Sequence, residues 1–334
     1  MNGSPVQPET QQDRLARFAR AALSHYAFSP QATVTLLNLS ENGTYRVDDP
    51  ADGSRAVLRV HRLGYHSRTA IASELAWSAA LREEAGIRTP VVIPSREGSD
   101  IVTVRLPGST EERHCVLFVF ESGREPDEDR LEESFQQLGE VTARMHVHSR
   151  SWRRPTWFER FTWDYHTMLG DAPHWGRWQA GIGMGPDELA VLDPLAQTLQ
   201  RRLTRFGQST DRFGLVHADM RLANLLLDGD QTKVIDFDDC GFSWYLYDLA
   251  SAVSFIEHLP QVPAIVDSWL RGYRRVLPVP AEDEAEIPTF IMLRRLLLVA
   301  WIGSHADTEL ARSQGSEFTK VTCDLAEQYL SRFA

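Results

Sequence analysis

Three cysteines, Cys115, Cys240 and Cys323, are all the chain has, and they lie far apart in its 334 residues. That scarcity excludes a disulfide framework, offers no metal-ligand spacing, and fits a reducing compartment. A basic excess is also missing: 35 Lys and Arg against 46 Asp and Glu leave a formal charge of −11. Nucleic-acid binding normally needs a basic patch to meet phosphates, so no nucleic-acid partner is expected. No uninterrupted apolar run approaches the ~20 residues of a membrane span, so no membrane partner is expected either. Residues 1–10 have neither the basic start nor the apolar centre of a signal peptide. They read as a short disordered lead on a cytoplasmic protein. What remains, 43% hydrophobic and 24% charged, is enough chain for two lobes with cores of their own. The negative charge suits a cationic small molecule, such as an amine.

The chemistry is concentrated in residues 215–238. His217-Ala218-Asp219 leads to Asn224, forming an H-x-D-x-x-x-x-N loop, and Asp236-Phe237-Asp238-Asp239 follows. Between them lie two short apolar runs, Leu225–Leu227 and Val234–Ile235, separated by the turn Asp228-Gly229-Asp230. Two strands joined by that turn bring Asn224 and Asp236 side by side at the mouth of a hairpin. A carboxylate and an amide oxygen so placed suit Mg²⁺, a hard cation that takes few protein oxygens and leaves room for phosphates. Asp219 then stands where it accepts a proton from an attacking hydroxyl. These are the parts of phosphoryl transfer. The rival reading is an acidic hairpin whose carboxylates face water.

On these residues the chain resembles the aminoglycoside-phosphotransferase-like kinases, which share the protein-kinase fold and include choline and homoserine kinases. That family usually reads H-G-D-x-x-x-x-N and then I-D-[FWY]-[DE]; here the second element is Ile235-Asp236-Phe237-Asp238. The resemblance implies an α+β, bilobal fold with a small antiparallel-sheet N-lobe and a larger, mainly helical C-lobe. It implies ATP and Mg²⁺ as cofactors and a hydroxylated small molecule as acceptor. Asp219 becomes the catalytic base, Asn224 and Asp236 the metal ligands, and His217 a structural residue of the loop; an acid/base role is the rival for His217. Arg221 would neutralise charge on the transferring phosphoryl group, or else pair with a loop carboxylate. Asp238 is a third metal or substrate carboxylate. Asp248, in Tyr247-Asp248-Leu249-Ala250, resembles a position that braces the catalytic loop.

Residues 11–121 carry the expected N-lobe. Leu15, Phe18, Ala19, Ala22, Leu23 and Tyr26 have helical spacing. Strand-like runs follow at Thr33–Leu39, Thr44–Val47, Ala56–Val60, Val91–Ile93, Ile101–Leu106 and Cys115–Phe120, with turn residues between them. The bend at Ser40, Asn42, Gly43 and Thr44 resembles the family's nucleotide-covering loop, although Asn-Gly is also a common hairpin turn. The third strand carries Arg59 where this fold usually has Lys; arginine keeps the charge but is not an equivalent replacement. Its expected partner is Glu74, chosen over Glu83 and Glu84, and its rival role is a surface residue of an edge strand. The backbone from Val119 to Glu121 is expected to bond adenine at the connection between lobes. Leu36, Val57 and Phe118 are adenine-wall candidates, or simply sheet core.

From residue 122 to 334 the pattern is mainly helical, with helices expected over Leu131–Ser149, Glu188–Phe206, Tyr247–His258, Pro263–Val276, Glu282–Gly303 and Ser316–Phe333. The acidic run Asp127–Asp129 complements the first helix N-terminus. His146 and His148 are assigned to capping its end. Residues 151–178 are rich in aromatics, which either stack on a cationic substrate or pin an irregular segment; Trp163, Asp164 and Asp171 are the pocket candidates. The expected activity is ATP-dependent phosphorylation of an amino alcohol, amino acid, sugar or antibiotic hydroxyl. The alternatives are a Ser/Thr protein kinase of the stress-response type, against which stands the missing Ala-Pro-Glu segment, and a nucleotide-binding pseudokinase.

Overall fold

The computed structural model describes residues 10–39, 42–126, 130–228, 231–306 and 308–334. Ser40, the acidic run at 127–129, positions 1–9 of the lead and the centre of the 228–230 turn lie outside them. The chain divides into two units, one of residues 1–79, 90–122 and 156–159, the other of residues 80–89, 123–155 and 160–334.

In the first unit, helix α1 (Gln11–Leu23) starts at Thr10, whose hydroxyl accepts the Asp13 N–H at 3.1 Å. Strands β1 (Thr33–Leu39), β2 (Gly43–Asp48), β3 (Arg55–Val60), β4 (Val102–Arg105) and β5 (Glu112–Val119) form one antiparallel sheet in the order β1-β2-β3-β5-β4. Side chains alternate across a strand, so β3 sends Ala56, Leu58 and Val60 to one face. They meet Leu15, Phe18, Ala19 and Ala22 of α1, together with Tyr45, Val47 and Leu117. The opposite face presents Val116 and Phe118 to Ile71 and Leu75 of helix α2 (Arg68–Glu84). Arg59 belongs to this second face and is buried on a central strand, not an edge strand. The run Val91–Ile93 does not form a strand. It makes two backbone bonds to β5, Ile93 N–H to Leu117 and Val119 N–H to Val91, both 2.8 Å. Pro90 and Pro94 bracket it and have no N–H with which to extend a ladder.

The second unit is built on helices α3 (Leu131–Ser151), α4 (Tyr165–Met168), α5 (Pro186–Phe206), α6 (Leu246–Ala252), α7 (Val262–Tyr273), α8 (Ala281–Glu284), α9 (Ile287–Ser304) and α10 (Glu309–Phe333). Two strand pairs are set among them, β6 (Phe213–Val216) with β9 (Gly241–Trp244) and β7 (Leu225–Asp228) with β8 (Gln231–Val234). Two expected helices are corrected. The stretch Tyr247–His258 is helical only to Ala252, and Phe255 beyond it takes a left-handed φ of 72°. The stretch Glu282–Gly303 is two helices, because Pro288 begins a new one at α9 and does not continue α8. The expected helix Ser316–Phe333 follows a break at Gly315, and α10 has a further helical stretch before that break, starting at Glu309 and capped by Thr308.

Helix α9 is buried on nearly all sides. Ala281–Ser304 is long and apolar enough to cross a membrane, but 78% of its apolar window is buried inside the protein. Arg294 and Arg295 sit buried at its middle. It is a core helix.

Helices α3 and α7 cross at glycines. A Cβ on Gly139 would stand 2.0 Å from the Trp269 carbonyl oxygen, and one on Gly272 would stand 1.9 Å from that of Gln136. Backbone cannot retreat as a flexible side chain does, so alanine at either position forces the helices apart. We expect Gly139→Ala and Gly272→Ala each to cost about 3 kcal/mol, the upper end for overpacking. Chemical denaturation checks this, and an unchanged midpoint for both variants would contradict the crossing.

Candidate active site

The loop of residues 217–224 leaves β6 and is tied to the protein amide by amide. Asp248, in the first turn of α6, is fully buried, and its carboxylate accepts the N–H of His217 at 3.2 Å and of Ala218 at 2.7 Å. The next amide, of Asp219, donates to His217 Nδ1 at 3.3 Å. The one after, of Met220, donates to the Ser251 hydroxyl at 2.9 Å. This winding needs Ala218 in the left-handed region, with φ of 68°, which is unfavourable for any residue with a Cβ. The buried carboxylate holds it there.

Asp248 is itself held from α3. His146 Nε2 lies 3.0 Å from Asp248 Oδ2, while His146 Nδ1 lies 2.9 Å from the Tyr273 hydroxyl on α7. His146 is thus a core residue two steps behind the loop, not a helix cap. His148 is not a cap either; its ring meets Glu84 at 3.2 Å.

His217 is fully buried and donates from Nε2 to the Ile235 carbonyl at 3.1 Å while accepting at Nδ1. That pattern needs the neutral ring. Burial pushes the pKa of His217 and of His146 below the ordinary imidazole value, against nearby carboxylates that pull upward. Both rings are neutral at neutral pH, and the His217 N–H is committed to the Ile235 carbonyl.

Asp219 faces three donors. Arg294 Nη2 reaches Oδ1 at 2.8 Å, Asn224 Nδ2 reaches Oδ2 at 2.8 Å, and Arg221 Nε spans both oxygens at 3.1 and 3.2 Å. Burial alone would raise this carboxyl, but the guanidiniums of Arg221 and Arg294 outweigh it and hold Asp219 below the usual carboxylate range. Asp219 is ionised at neutral pH. The Asn224 amide also donates to the Asp219 carbonyl at 2.8 Å, so its N–H groups are committed and its oxygen is left as an acceptor.

The hairpin of β7 and β8 closes with Ile235 N–H on the Asn224 carbonyl at 2.9 Å, which brings Asn224 beside Asp236. Asp236 is exposed and has a left-handed φ of 63°. Beyond it, Arg160 holds the carbonyls of Asp238 and of Cys240, the latter at 2.6 Å, and Trp163 Nε1 holds that of Asp239 at 2.8 Å. Oxygen donors from one amide and one or two carboxylates fit a hard divalent cation that keeps phosphate and water ligands. No group of three or more His, Cys, Asp or Glu among the described residues forms a closed metal cage.

The three pocket candidates take different places. Trp163 is buried bracing, and Asp164 is the N-cap of α4, accepting the Thr167 N–H at 3.0 Å. Asp171 is exposed and lines a polar cavity of about 270 Å³ with Tyr165, His166, Arg177 and Gln200. The described side-chain partners of Asp219 are Arg221, Asn224 and Arg294, none of them a pocket candidate.

In the first unit, Arg59 forms a buried ion pair with Glu74 and lies 5.2 Å from the centre of the Phe118 ring. Neither of the chain's two lysines is available for that place: Lys233 pairs with Asp228 and Lys320 with Glu317. Asn42 accepts the Arg62 N–H at 3.0 Å, Gly43 opens β2, and Thr44 pairs with Arg59 across the sheet. The Val119 N–H is committed to Val91, so that donor is not available to adenine; Glu121, two residues on, is half-buried.

Sequence reasoning missed Arg294, Arg160 and the His146 support. Two adjacent arginines in the apolar run Phe290–Ile302 were a signal, since buried charge needs a partner.

The five-stranded antiparallel sheet of the first unit and the helical second unit that carries this loop and hairpin are those of a protein-kinase-like fold. The chain belongs to the phosphotransferase enzyme family, whose model matches residues 33–285. It is a kinase. Among solved structures it is similar to a microcompartment-associated aminopropanol kinase, with 47% identity, a TM-score of 0.88, and coverage of 95% of this chain and 98% of that one. It is 27% identical to the amicoumacin kinase of Bacillus subtilis (strain 168) over 83% of this chain and 81% of that protein. A structure of the amicoumacin kinase hAmiN with AMP-PNP, Ca²⁺ and Ami shares the fold, with 24% identity, a TM-score of 0.76, and coverage of 94% and 96%.

The neutral buried histidines set a pH dependence. Above about pH 6.5 both folded and unfolded rings are neutral; below it the unfolded chain takes up protons that the folded one refuses, so stability falls. His114, His148 and His174 are held below the ordinary value by burial as well. We expect a flat melting temperature from about pH 8 to 7 and a progressive fall from about pH 6.5 to 5. His146→Gln should make the fall shallower. A melting temperature that rises on acidification would contradict this.

Proposed function

We propose that this kinase transfers the γ-phosphoryl group of ATP to the hydroxyl of a small amino alcohol. The observation that carries the chemistry is Asp219, buried, ionised and held at both oxygens on a loop fixed by Asp248. The likeness to an aminopropanol kinase across nearly the whole chain supports the acceptor class.

In this reading Asp219 accepts a hydrogen bond from the acceptor hydroxyl, orients its oxygen toward the γ-phosphorus, and takes the proton as the new O–P bond forms. The transition state of such transfers is loose, so positioning and charge stabilisation matter more than a strong base. Arg221, with its side chain about a third exposed, turns toward the equatorial phosphoryl oxygens. Asn224 and Asp236, with Asp238, would hold Mg²⁺, which when bound offsets phosphate charge. Arg59, fixed by Glu74, would contact the phosphates; Asn42, Gly43 and Thr44, with Ser40, would cover them, and Glu121 would lie at adenine. Residues 11–121 then serve the nucleotide and 122–334 serve catalysis and the acceptor. His217 and Asp248 are structural.

In a coupled assay of ADP release, aminopropanol should exceed homoserine, choline and an aminoglycoside by at least about tenfold in kcat/KM, a difference of roughly 1.4 kcal/mol. Asp219→Asn should lower kcat roughly 10²- to 10⁴-fold while leaving the KM for ATP nearly unchanged. Full turnover by Asp219→Asn removes the base, and preference for an aminoglycoside removes the amino alcohol.

A further inference from the structure

We propose that Arg294, on helix α9, is a positioning residue for phosphoryl transfer, clamping Asp219 through Oδ1 while Arg221 is the exchangeable partner that the acceptor hydroxyl displaces. The proposal rests on the reading of Asp219 as the group that meets the hydroxyl.

Three observations support it. First, Arg294 is 3% exposed, and a guanidinium placed so deep survives only if its donors are satisfied. Nε donates to the Ser254 hydroxyl at 3.0 Å, Nη1 to the Tyr247 hydroxyl at 2.9 Å, and Nη2 to Asp219 at 2.8 Å. The Trp175 ring lies 5.2 Å from its guanidinium carbon. A cation fixed at this many points holds its carboxylate in one orientation.

Second, the neighbouring Arg295 shows what a purely structural buried arginine does in the same helix. It pairs with Glu257 at 2.8 Å and bonds Thr322 and the Phe318 carbonyl. None of those partners belongs to the catalytic loop. Arg294 alone of the two is directed at the base.

Third, every acceptor position of Asp219 is occupied: Oδ1 by Arg294 and Arg221, Oδ2 by Asn224 and Arg221. A carboxylate oxygen takes about two hydrogen bonds, so a substrate hydroxyl must replace one donor. Arg221 is the candidate for release, since its side chain is 32% exposed and it uses one nitrogen for both oxygens. Arg294 is on a separate, rigid element and stays.

The test compares kcat and KM at neutral pH for Arg294→Met, Arg294→Lys, Arg295→Met and Asp219→Asn with wild type, with melting temperatures alongside. Arg294→Met should lose at least about tenfold in kcat, with the KM for ATP within about threefold. Arg294→Lys, which keeps a cation at that place, should recover most of the lost kcat. Arg295→Met should lower the melting temperature and leave kcat within about threefold. Full kcat in Arg294→Met overturns the proposal, and so does an equal loss of kcat in Arg295→Met. If Arg294→Met does not fold, Tyr247→Phe, which removes one partner of Arg294 and keeps the ring, should lower kcat by a smaller factor with the KM for ATP unchanged, and full kcat there overturns it equally. Activity retained by Asp219→Asn would sink the reading of Asp219 itself, a failure distinct from that of Arg294 alone.

Discussion

The site depends on the Asp248 carboxylate, buried where two successive backbone amides of the catalytic loop and the ring of His146 meet it. Ala218 is held in a left-handed conformation that an alanine does not choose by itself. Glycine would take that φ at little cost and alanine does not, so the two amide bonds to the carboxylate help to fix the bend. Once the bend is fixed, Asp219 emerges from the end of β6 pointing at Arg294, Arg221 and Asn224, and its ionisation follows from those neighbours. Removing Asp248 would leave two amides and a histidine unpaired in the interior, which is costly at each.

Charge in the site is arranged by distance from water. Arg294 is buried and rigid, Arg221 is half-exposed on the loop itself, and Asp236 is exposed at the hairpin mouth. The buried cation holds Asp219 ionised, whereas Arg221 and Asp236 lie toward solvent, the side from which phosphate and metal would approach in the proposed reading. Such a gradient suits a reaction whose transition state needs many placed charges and little covalent help.

The contiguous part of the site was legible in the sequence. His217, Asp219, Asn224 and Asp236 lie on one loop and one hairpin, so spacing and strand pattern place them without knowledge of the rest. The Arg59–Glu74 pair was also readable, because a helix following the third strand offers few carboxylates on its inner face. Contacts that depend on how distant helices pack were not readable: Arg294 lies 75 residues from Asp219, and His146 lies 102 from Asp248. His146 sits near the end of α3, where a cap is the ordinary reading, and only the crossing of α3 with α7 at Gly139 and Gly272 shows it to be core. Trp163 and Asp164 fall in an irregular aromatic segment whose residues serve equally well as pocket or as bracing, and here packing decides for bracing. The break before α9 was visible as Pro288, outweighed in the apolar periodicity around it.

The central claim is that Asp219 receives the acceptor hydroxyl while Arg294 keeps its grip and Arg221 lets go. A crystal structure of the protein with aminopropanol and a non-hydrolysable ATP analogue tests this most directly. The account predicts the hydroxyl oxygen at about 2.6–3.2 Å from an Asp219 oxygen, Arg294 still on Oδ1, and Arg221 turned toward the triphosphate. A hydroxyl bound away from Asp219, with both arginines unmoved, would contradict it.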